Sequence, residues 1–129
     1  IAQALGGKVV KFEKGWAVGH KDYEIEGDQM RLLAWHQDQV VEKPETAKVI
    51  GSNAFCENAA LLYDNRILTI QPHPEFDGEI LEKLIAVRGK GVVEPDRMNA
   101  AQDTHDMPHD SLRFVERMSA VFRQGAAHV

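Results

Sequence analysis

The sequence predicts a mixed fold of β-strands and α-helices, with strands in the middle of the chain and helices toward its end. Up to residue 70, short apolar or alternating runs are separated by polar turns, which is typical of strands. From Gly78 to Arg88 the apolar residues take helical spacing, and Gly89 provides a stop signal. The period changes at the proline-rich segment 71–76, which therefore marks the boundary between the two kinds of structure.

Short strands are predicted at regular intervals before this boundary. Asp64 and Asn65 tolerate the positive φ of a tight turn, so the two strands around them are expected to form a hairpin. Residues 92–110 are polar and contain two prolines, which predicts a mixed loop with room for a short helix. The predicted strands are residues 8–12, 16–20, 21–25, 31–35, 48–52, 59–63 and 66–70.

Helical segments are predicted at both ends of the chain. Residues 1–5 are typical of the last turns of a helix, which the glycine pair Gly6 and Gly7 closes. Ser111 is a favourable N-cap for a final helix. Its expected apolar face consists of Leu112, Val115, Met118 and Phe122.

Length and composition indicate one ordinary globular domain. The chain has 129 residues, of which 43% are hydrophobic and 27% charged, as in soluble globular proteins. A net charge of −5 argues against nucleic-acid binding. No apolar run approaches the ~20 residues that a membrane span needs. We therefore expect neither a nucleic-acid nor a membrane partner.

The cysteine content and the first residues suggest a cellular context. Cys56 is the single cysteine, which excludes an internal disulfide and fits a reducing cytoplasm. The chain starts at Ile1 without an initiator methionine or a charged leader segment, so no signal peptide is predicted. The start is instead expected to be the interior of a longer chain.

A histidine and a carboxylate are closely placed where the last predicted strand ends. His73 and Glu75 follow the apolar run 67–70, and Pro72 and Pro74 hold the backbone between them extended. Extended residues i and i+2 face the same side about 7 Å apart, so a side-chain hydrogen bond is within reach. A carboxylate that orients a histidine is part of a catalytic triad, although a surface histidine beside a solvated glutamate fits the same spacing.

A second polar cluster follows the predicted strand 31–35. His36, Gln37 and Asp38 are expected on a loop beyond the end of that strand. Loops of this kind commonly line the cleft of an α/β protein, but an ordinary solvated loop has the same composition. The cluster alone leaves both interpretations open.

Taken together, three segments resemble the C-terminal half of class I glutamine amidotransferases. Residues 35–40 resemble the family's H-x-D-x-V segment, and residues 70–76 resemble its apolar strand that ends in Q-x-H-P-E. Residues 1–7 are similar to the helix that follows the family's nucleophile. The resemblance covers residues 1–76 and is greatest to the amidotransferase domain of GMP synthase and its stand-alone relatives.

The resemblance implies a flavodoxin-like α/β fold of which this chain holds only part. Residues 1–91 would form the C-terminal part of the amidotransferase domain, and residues 92–129 a helical extension of the same domain. Much of the parallel sheet would lie outside the chain.

The resemblance also implies hydrolysis of glutamine through a Cys-His-Glu triad. His73 matches the base and Glu75 the carboxylate that orients it, while ammonia passes to a synthetase domain or subunit. His36, Gln37 and Asp38 match the loop beside the α-carboxylate and α-amine of glutamine. Gln37 stands where relatives often have glycine. No cofactor is implied.

The nucleophile of the triad is not found in the sequence. The family places it in a G-x-C-x-G turn, and Cys56 lies between Phe55 and Glu57 without flanking glycines. We expect Cys56 to be structural, the triad cysteine to lie just upstream of Ile1, and this chain alone to be inactive.

Two other functions and one other site are considered. A γ-glutamyl hydrolase or peptidase would use the same triad, and a degenerate module would only bind a partner. The run 105–110 contains two histidines and two aspartates, but its spacing fits no metal template, and a solvated loop is expected.

Overall fold

The computed structural model describes residues 1–127. Residues 128 and 129, the last two of the predicted helical extension, lie outside the described residues. A short 3₁₀ helix, Gln3–Leu5, opens the chain. The strands are β1 Lys8–Lys11, β2 Ala17–Ile25, β3 Asp28–His36, β4 Asp38–Glu42, β5 Ala47–Ser52, β6 Ala60–Tyr63 and β7 Ile67–Ile70. The helices are α1 Gly78–Leu84, which continues as a π-helical turn Ile85–Gly89, α2 Pro95–Asp103 and α3 Ser111–Ala126.

The strands form two sheets. Five strands form one sheet in the order β3-β2-β5-β6-β7, and β1 pairs with β4 in a second sheet of two strands. Every pairing between described strands is antiparallel. The parallel sheet of a flavodoxin-like fold is therefore not formed by strand pairs within residues 1–127.

The hairpin between β2 and β3 was not predicted. Residues 16–20 and 21–25 were expected as two short strands, but they form the single strand β2, which pairs with β3 along its whole length. Burial does not alternate in its first half, where Val18 packs with Ala101 of α2. Glu26 and Gly27 make the turn with φ values of 48° and 88°.

The predicted hairpin between β6 and β7 is confirmed. Asp64 and Asn65 have φ values of 47° and 56°, in the left-handed region that short polar side chains tolerate. Tyr63 pairs with Ile67 across the turn, and the N–H of Arg66 donates to the carbonyl of Tyr63 at 2.9 Å.

The main core lies between the large sheet and α3. Tyr23, Ile25 and Leu32 from the sheet pack with Phe114 of the helix and with Cys56, and each of these side chains is buried. Burying a large apolar side chain contributes about 1.5–3 kcal/mol, so this cluster is a main source of stability.

The start of α3 is fixed by Asp110 rather than by Ser111. Asp110 occupies the N-cap position and Ser111 is the first helical residue, one position later than predicted. The N–H of Asp110 donates to the carbonyl of Arg31 at 2.7 Å, and the N–H of Arg31 donates to the Asp110 carboxylate at 2.8 Å. These reciprocal hydrogen bonds attach the beginning of α3 to β3.

The apolar face that was predicted for α3 is only partly the buried one. Phe114, Met118 and Val121 pack against the sheet. Leu112 and Phe122 are 81% and 49% exposed. Apolar residues occupy two neighbouring faces of this helix, and the sequence pattern alone does not show which of them meets the sheet.

Helix α2 falls in the segment predicted as mixed loop. Pro95 stands at its first turn, where a proline costs no hydrogen bond. The helix lies directly on β2 at Gly19, where an added Cβ would be 2.8 Å from Cβ of Ala101. Gly19 also has a φ of +84°, so both its backbone and its lack of a side chain are needed for this contact.

We expect Gly19→Ala to destabilise the fold by more than Gly27→Ala. Gly27 has a φ of +88° but open space around it, so alanine there costs only backbone strain of about 1–2 kcal/mol. At Gly19 the clash with α2 adds about 1–3 kcal/mol. Chemical denaturation of both variants measures the difference, and equal losses would show that α2 does not press on β2.

Candidate functional site

His73 and Glu75 form a hydrogen-bonded pair. Nδ1 of His73 lies 2.6 Å from Oε1 of Glu75. A carboxylate only accepts, so Nδ1 carries the proton and Nε2 keeps its lone pair. The His73 side chain is 31% exposed, and its accessible Nε2 is thus in the form that a general base requires.

The backbone of His73 is attached to the large sheet. Its N–H donates to the carbonyl of Leu33 at 2.8 Å, and the two residues form an isolated antiparallel bridge. Leu33 is fully buried in β3. The bridge therefore fixes His73 relative to the most rigid part of the molecule.

An aromatic ring holds the imidazole from one side. The rings of His73 and Phe76 are stacked with centroids 4.1 Å apart and planes 6° from parallel. The N–H of Phe76 donates to the carbonyl of His73 at 3.1 Å, which closes a tight turn. Phe76 restricts rotation of the imidazole while Glu75 fixes its edge. No role for Phe76 was predicted from the sequence, although the aromatic residue next to the pair was visible.

The segment containing His36, Gln37 and Asp38 is not the loop that was predicted. His36 is the last residue of β3 and Asp38 the first of β4, so only Gln37 lies outside a strand. The chain passes here from the large sheet to the small one, and the N–H of Phe12 donates to the Gln37 carbonyl at 2.9 Å. Polar residues alone gave no sign that pairing resumes at once.

His36 is held as a neutral imidazole. Its Nδ1–H donates to the carbonyl of Asp38 at 3.2 Å. Burial lowers the pKa of His36 to about 4, and the nearby His73 adds to the shift. Nε2 of His36 is buried and has no hydrogen-bond partner within residues 1–127. The structure thus brings His36 near His73 and leaves a buried acceptor unused.

Two glutamines add further unused polar atoms in the same region. Nε2 of Gln39 and Oε1 of Gln71 are buried and have no partner in the described part of the chain. Gln71, Asp38 and Val9 line a cavity of about 220 Å³ between β1, β4 and β7. Buried polar groups normally find partners, so these atoms are available to a bound molecule or to another segment. No role for Gln39 was predicted from the sequence.

Cys56 is buried in the core rather than exposed at this site. Its side chain is 2% exposed, and burial raises the pKa of the thiol to about 12. Oδ1 of Asn53 accepts hydrogen bonds from the N–H groups of Phe55 and Cys56 at 3.0 and 2.7 Å. These features fit the structural role expected for Cys56 and oppose a nucleophilic one.

The histidines of segment 105–110 are used in packing. His105 contacts the carbonyl of Gln102 at 2.7 Å, and His109 stacks on His20 at 6.0 Å. Within residues 1–127 no three histidine, cysteine or acidic side chains are grouped so as to hold a metal ion. None of the helices described is long and apolar enough to cross a membrane.

The fold is that of the glutamine amidotransferases. A glutamine amido transferase from Methylobacillus flagellatus matches 96% of this chain with a TM-score of 0.68 and 18% identity, over 58% of its own length. A glutamine amidotransferase from Thermotoga maritima gives 0.65 and 18% over 98% of this chain and 56% of its own. A putative GMP synthase subunit from Thermoplasma acidophilum gives 0.52 and 16% over 92% of this chain and 55% of its own. The predicted fold class is confirmed.

Curated proteins similar in sequence have related names. Gamma-glutamyl peptidase 4 of Arabidopsis thaliana is 33% identical over 95% of this chain and 55% of its own length. Gamma-glutamyl peptidase 2 of the same plant is 30% identical over 81% and 47%. A putative glutamine amidotransferase-like protein of Schizosaccharomyces pombe is 28% identical over 86% and 48%. No family model matches the chain.

These likenesses confirm the predicted resemblance to class I glutamine amidotransferases. The chain spans about half the length of the curated relatives it matches.

We expect the thiol of Cys56 to resist labelling in the folded protein. A pKa of about 12, against the usual 9.0, lowers the thiolate fraction at neutral pH roughly 10³-fold, and burial blocks the reagent as well. Reaction with Ellman's reagent is measured with and without denaturant. Fast labelling of the folded protein would contradict the buried position.

We expect His36 to make stability depend on pH between about 6.5 and 4. Because the pKa of His36 is lowered on folding, the unfolded chain binds more protons in this range and stability falls as pH falls. A His36→Asn variant lacks this loss, worth about 1–2 kcal/mol. Urea unfolding at several pH values tests the difference. His20, whose pKa burial also lowers, is present in both proteins and cancels, and identical pH profiles would contradict the assignment.

Proposed function

We propose that the whole protein cleaves the side-chain amide of glutamine through a Cys-His-Glu triad, and that this chain supplies its base and its orienting carboxylate. The observation that carries the proposal is the 2.6 Å hydrogen bond between Nδ1 of His73 and Oε1 of Glu75. Restraint of His73 by Leu33 and Phe76 supports it, because a catalytic pair needs fixed side chains.

The proposed reaction follows from the free Nε2 of His73. This nitrogen takes the proton of a cysteine thiol, and the thiolate attacks the amide carbonyl of the substrate. The imidazolium, stabilised by Glu75, then gives the proton to the leaving nitrogen, which departs as ammonia. Water hydrolyses the γ-glutamyl thioester, so that glutamate leaves and the thiol is restored.

The nucleophile is proposed to come from residues outside this sequence. Cys56 is an unsuitable candidate because its thiol is buried in the apolar core and its pKa is raised to about 12. The chain spans about half the length of its curated relatives, which leaves room for a cysteine in the remainder. By this proposal the chain alone releases no ammonia.

His36, Gln37 and Asp38 are proposed to bind the amino-acid end of the substrate. The Asp38 side chain is exposed and its carboxylate would pair with an α-ammonium group. The unpartnered Nε2 of His36 accepts a hydrogen bond from a substrate N–H. These contacts are carried over from the family resemblance, and the buried acceptor supports them.

The fate of the ammonia is a further part of the proposal. One structural neighbour is named as a GMP synthase subunit, which supports transfer to a synthetase domain or subunit. We propose that this takes place in the cytoplasm, in line with the single reduced cysteine.

A second candidate function is γ-glutamyl peptidase activity. It is favoured by relatives of that name that are 30% and 33% identical to this chain. The same triad would act, but the leaving group would be a substituted amine that is not passed on. Product analysis with glutamine and with γ-glutamyl peptides as competing substrates separates the two functions.

We expect His73→Ala in the whole protein to lower kcat by about 10²–10⁴-fold, because general acid–base catalysis is lost. Glu75→Gln should lower it less, since the imidazole keeps its position but loses the stabilising charge. Ammonia release is the measurement, and His109→Ala, which changes a histidine on another surface, is the control. An unchanged kcat in His73→Ala would exclude the triad.

The same assay distinguishes the remaining alternatives. Activity of this chain alone that survives Cys56→Ala would contradict an external nucleophile. A whole protein that binds glutamine but hydrolyses neither substrate would indicate a degenerate binding module.

A further inference from the structure

Helix α3 carries an apolar stripe that its own chain does not cover. Leu112, Val115 and Phe122 are 81%, 48% and 49% exposed. Val115, Phe122 and Ala126 line a groove of about 400 Å³ along the helix, together with Met118, Ser119 and Arg123. We call Leu112, Val115, Ser119, Phe122 and Ala126 the outer stripe.

The spacing of the outer stripe is that of a helix packed against another helix. Its positions are separated by alternating steps of three and four residues, which keeps them on one line over four turns. The face that meets the sheet is a different one, formed by Phe114, Met118 and Val121. The outer stripe is therefore not needed for the packing of α3 on its own domain.

Two opposite charges lie on one edge of the outer stripe. Glu116 and Arg123 are seven residues apart and occupy the same edge. Glu116 is exposed and has no ion pair in the described chain, while Arg123 donates only to the hydroxyl of Ser119, at 2.7 Å. In an antiparallel pair of helices equivalent edges face each other. Glu116 would then face the partner's Arg123, twice in a symmetric dimer.

Side-chain sizes along the outer stripe agree with the same arrangement. The antiparallel register that aligns these charges places Ser119 opposite the partner's Phe122 and Val115 opposite the partner's Ala126. A small side chain meets a large one in each of these layers, which allows close packing without voids. A parallel pair would instead place Phe122 against the partner's Phe122 and leave the charged edges apart.

We propose that the outer stripe of α3 is a docking surface for a second copy of this chain, bound as an antiparallel helix pair with two-fold symmetry. Charge complementarity and layer sizes select this occupant. The inference is independent of the proposed triad, because none of its residues belongs to that site.

The test reverses the charges and measures self-association. Sedimentation velocity over a range of concentrations should show a weak, reversible dimer, as a short helix pair buries a small interface. Glu116→Arg alone and Arg123→Glu alone should each raise the dissociation constant about tenfold, since both ion pairs become repulsive. The double variant, and an equimolar mixture of the two single variants, should regain the original affinity.

The controls keep the experiment decisive. Gln124→Arg places a charge on the opposite side of α3 and should leave association unchanged, and circular dichroism verifies that each variant is folded. The same variants are made in the whole protein, where the outer stripe must also be free. A monomer at every concentration would overturn the proposal, and so would a dimer whose affinity ignores the charge reversals.

Discussion

One backbone hydrogen bond, from the N–H of His73 to the carbonyl of Leu33, organises the candidate site. It joins the proline-rich turn to a fully buried residue of the central hairpin. The turn itself cannot pair further, because Pro72 and Pro74 have no N–H groups. A single bridge thus sets where the imidazole stands, and the contacts with Glu75 and Phe76 set its orientation.

The two histidines near this bridge are organised alike at one nitrogen and differently at the other. In both, Nδ1–H donates to an oxygen two residues further along, of Asp38 for His36 and of Glu75 for His73. For His36 the acceptor is a neutral carbonyl, so nothing offsets burial and the ring stays uncharged. For His73 the acceptor is a carboxylate, which suits a ring that takes up a proton. The local partner thus separates a binding group from a base.

Local chemistry in the sequence predicted the parts of the fold that local chemistry determines. The Asp64-Asn65 turn and the pair of His73 with Glu75 follow from residues adjacent in the chain. Features that depend on distant partners were missed or misplaced. Helix α2 is a polar, proline-started segment whose stability comes from its contact with Gly19. The buried face of α3 is chosen by the sheet, and the unpartnered atoms of His36 and Gln39 become evident only in three dimensions.

The single residue between β3 and β4 has a consequence for how this region tolerates change in evolution. Side chains alternate along a strand, so the number of residues joining two strands decides which face each later side chain occupies. With Gln37 as the only link, an insertion of one residue would exchange the directions of Asp38 and Gln39 or separate the sheets. Residue types here can vary, as Gln37 itself illustrates, but the length of the segment is under a geometric constraint that substitutions do not face.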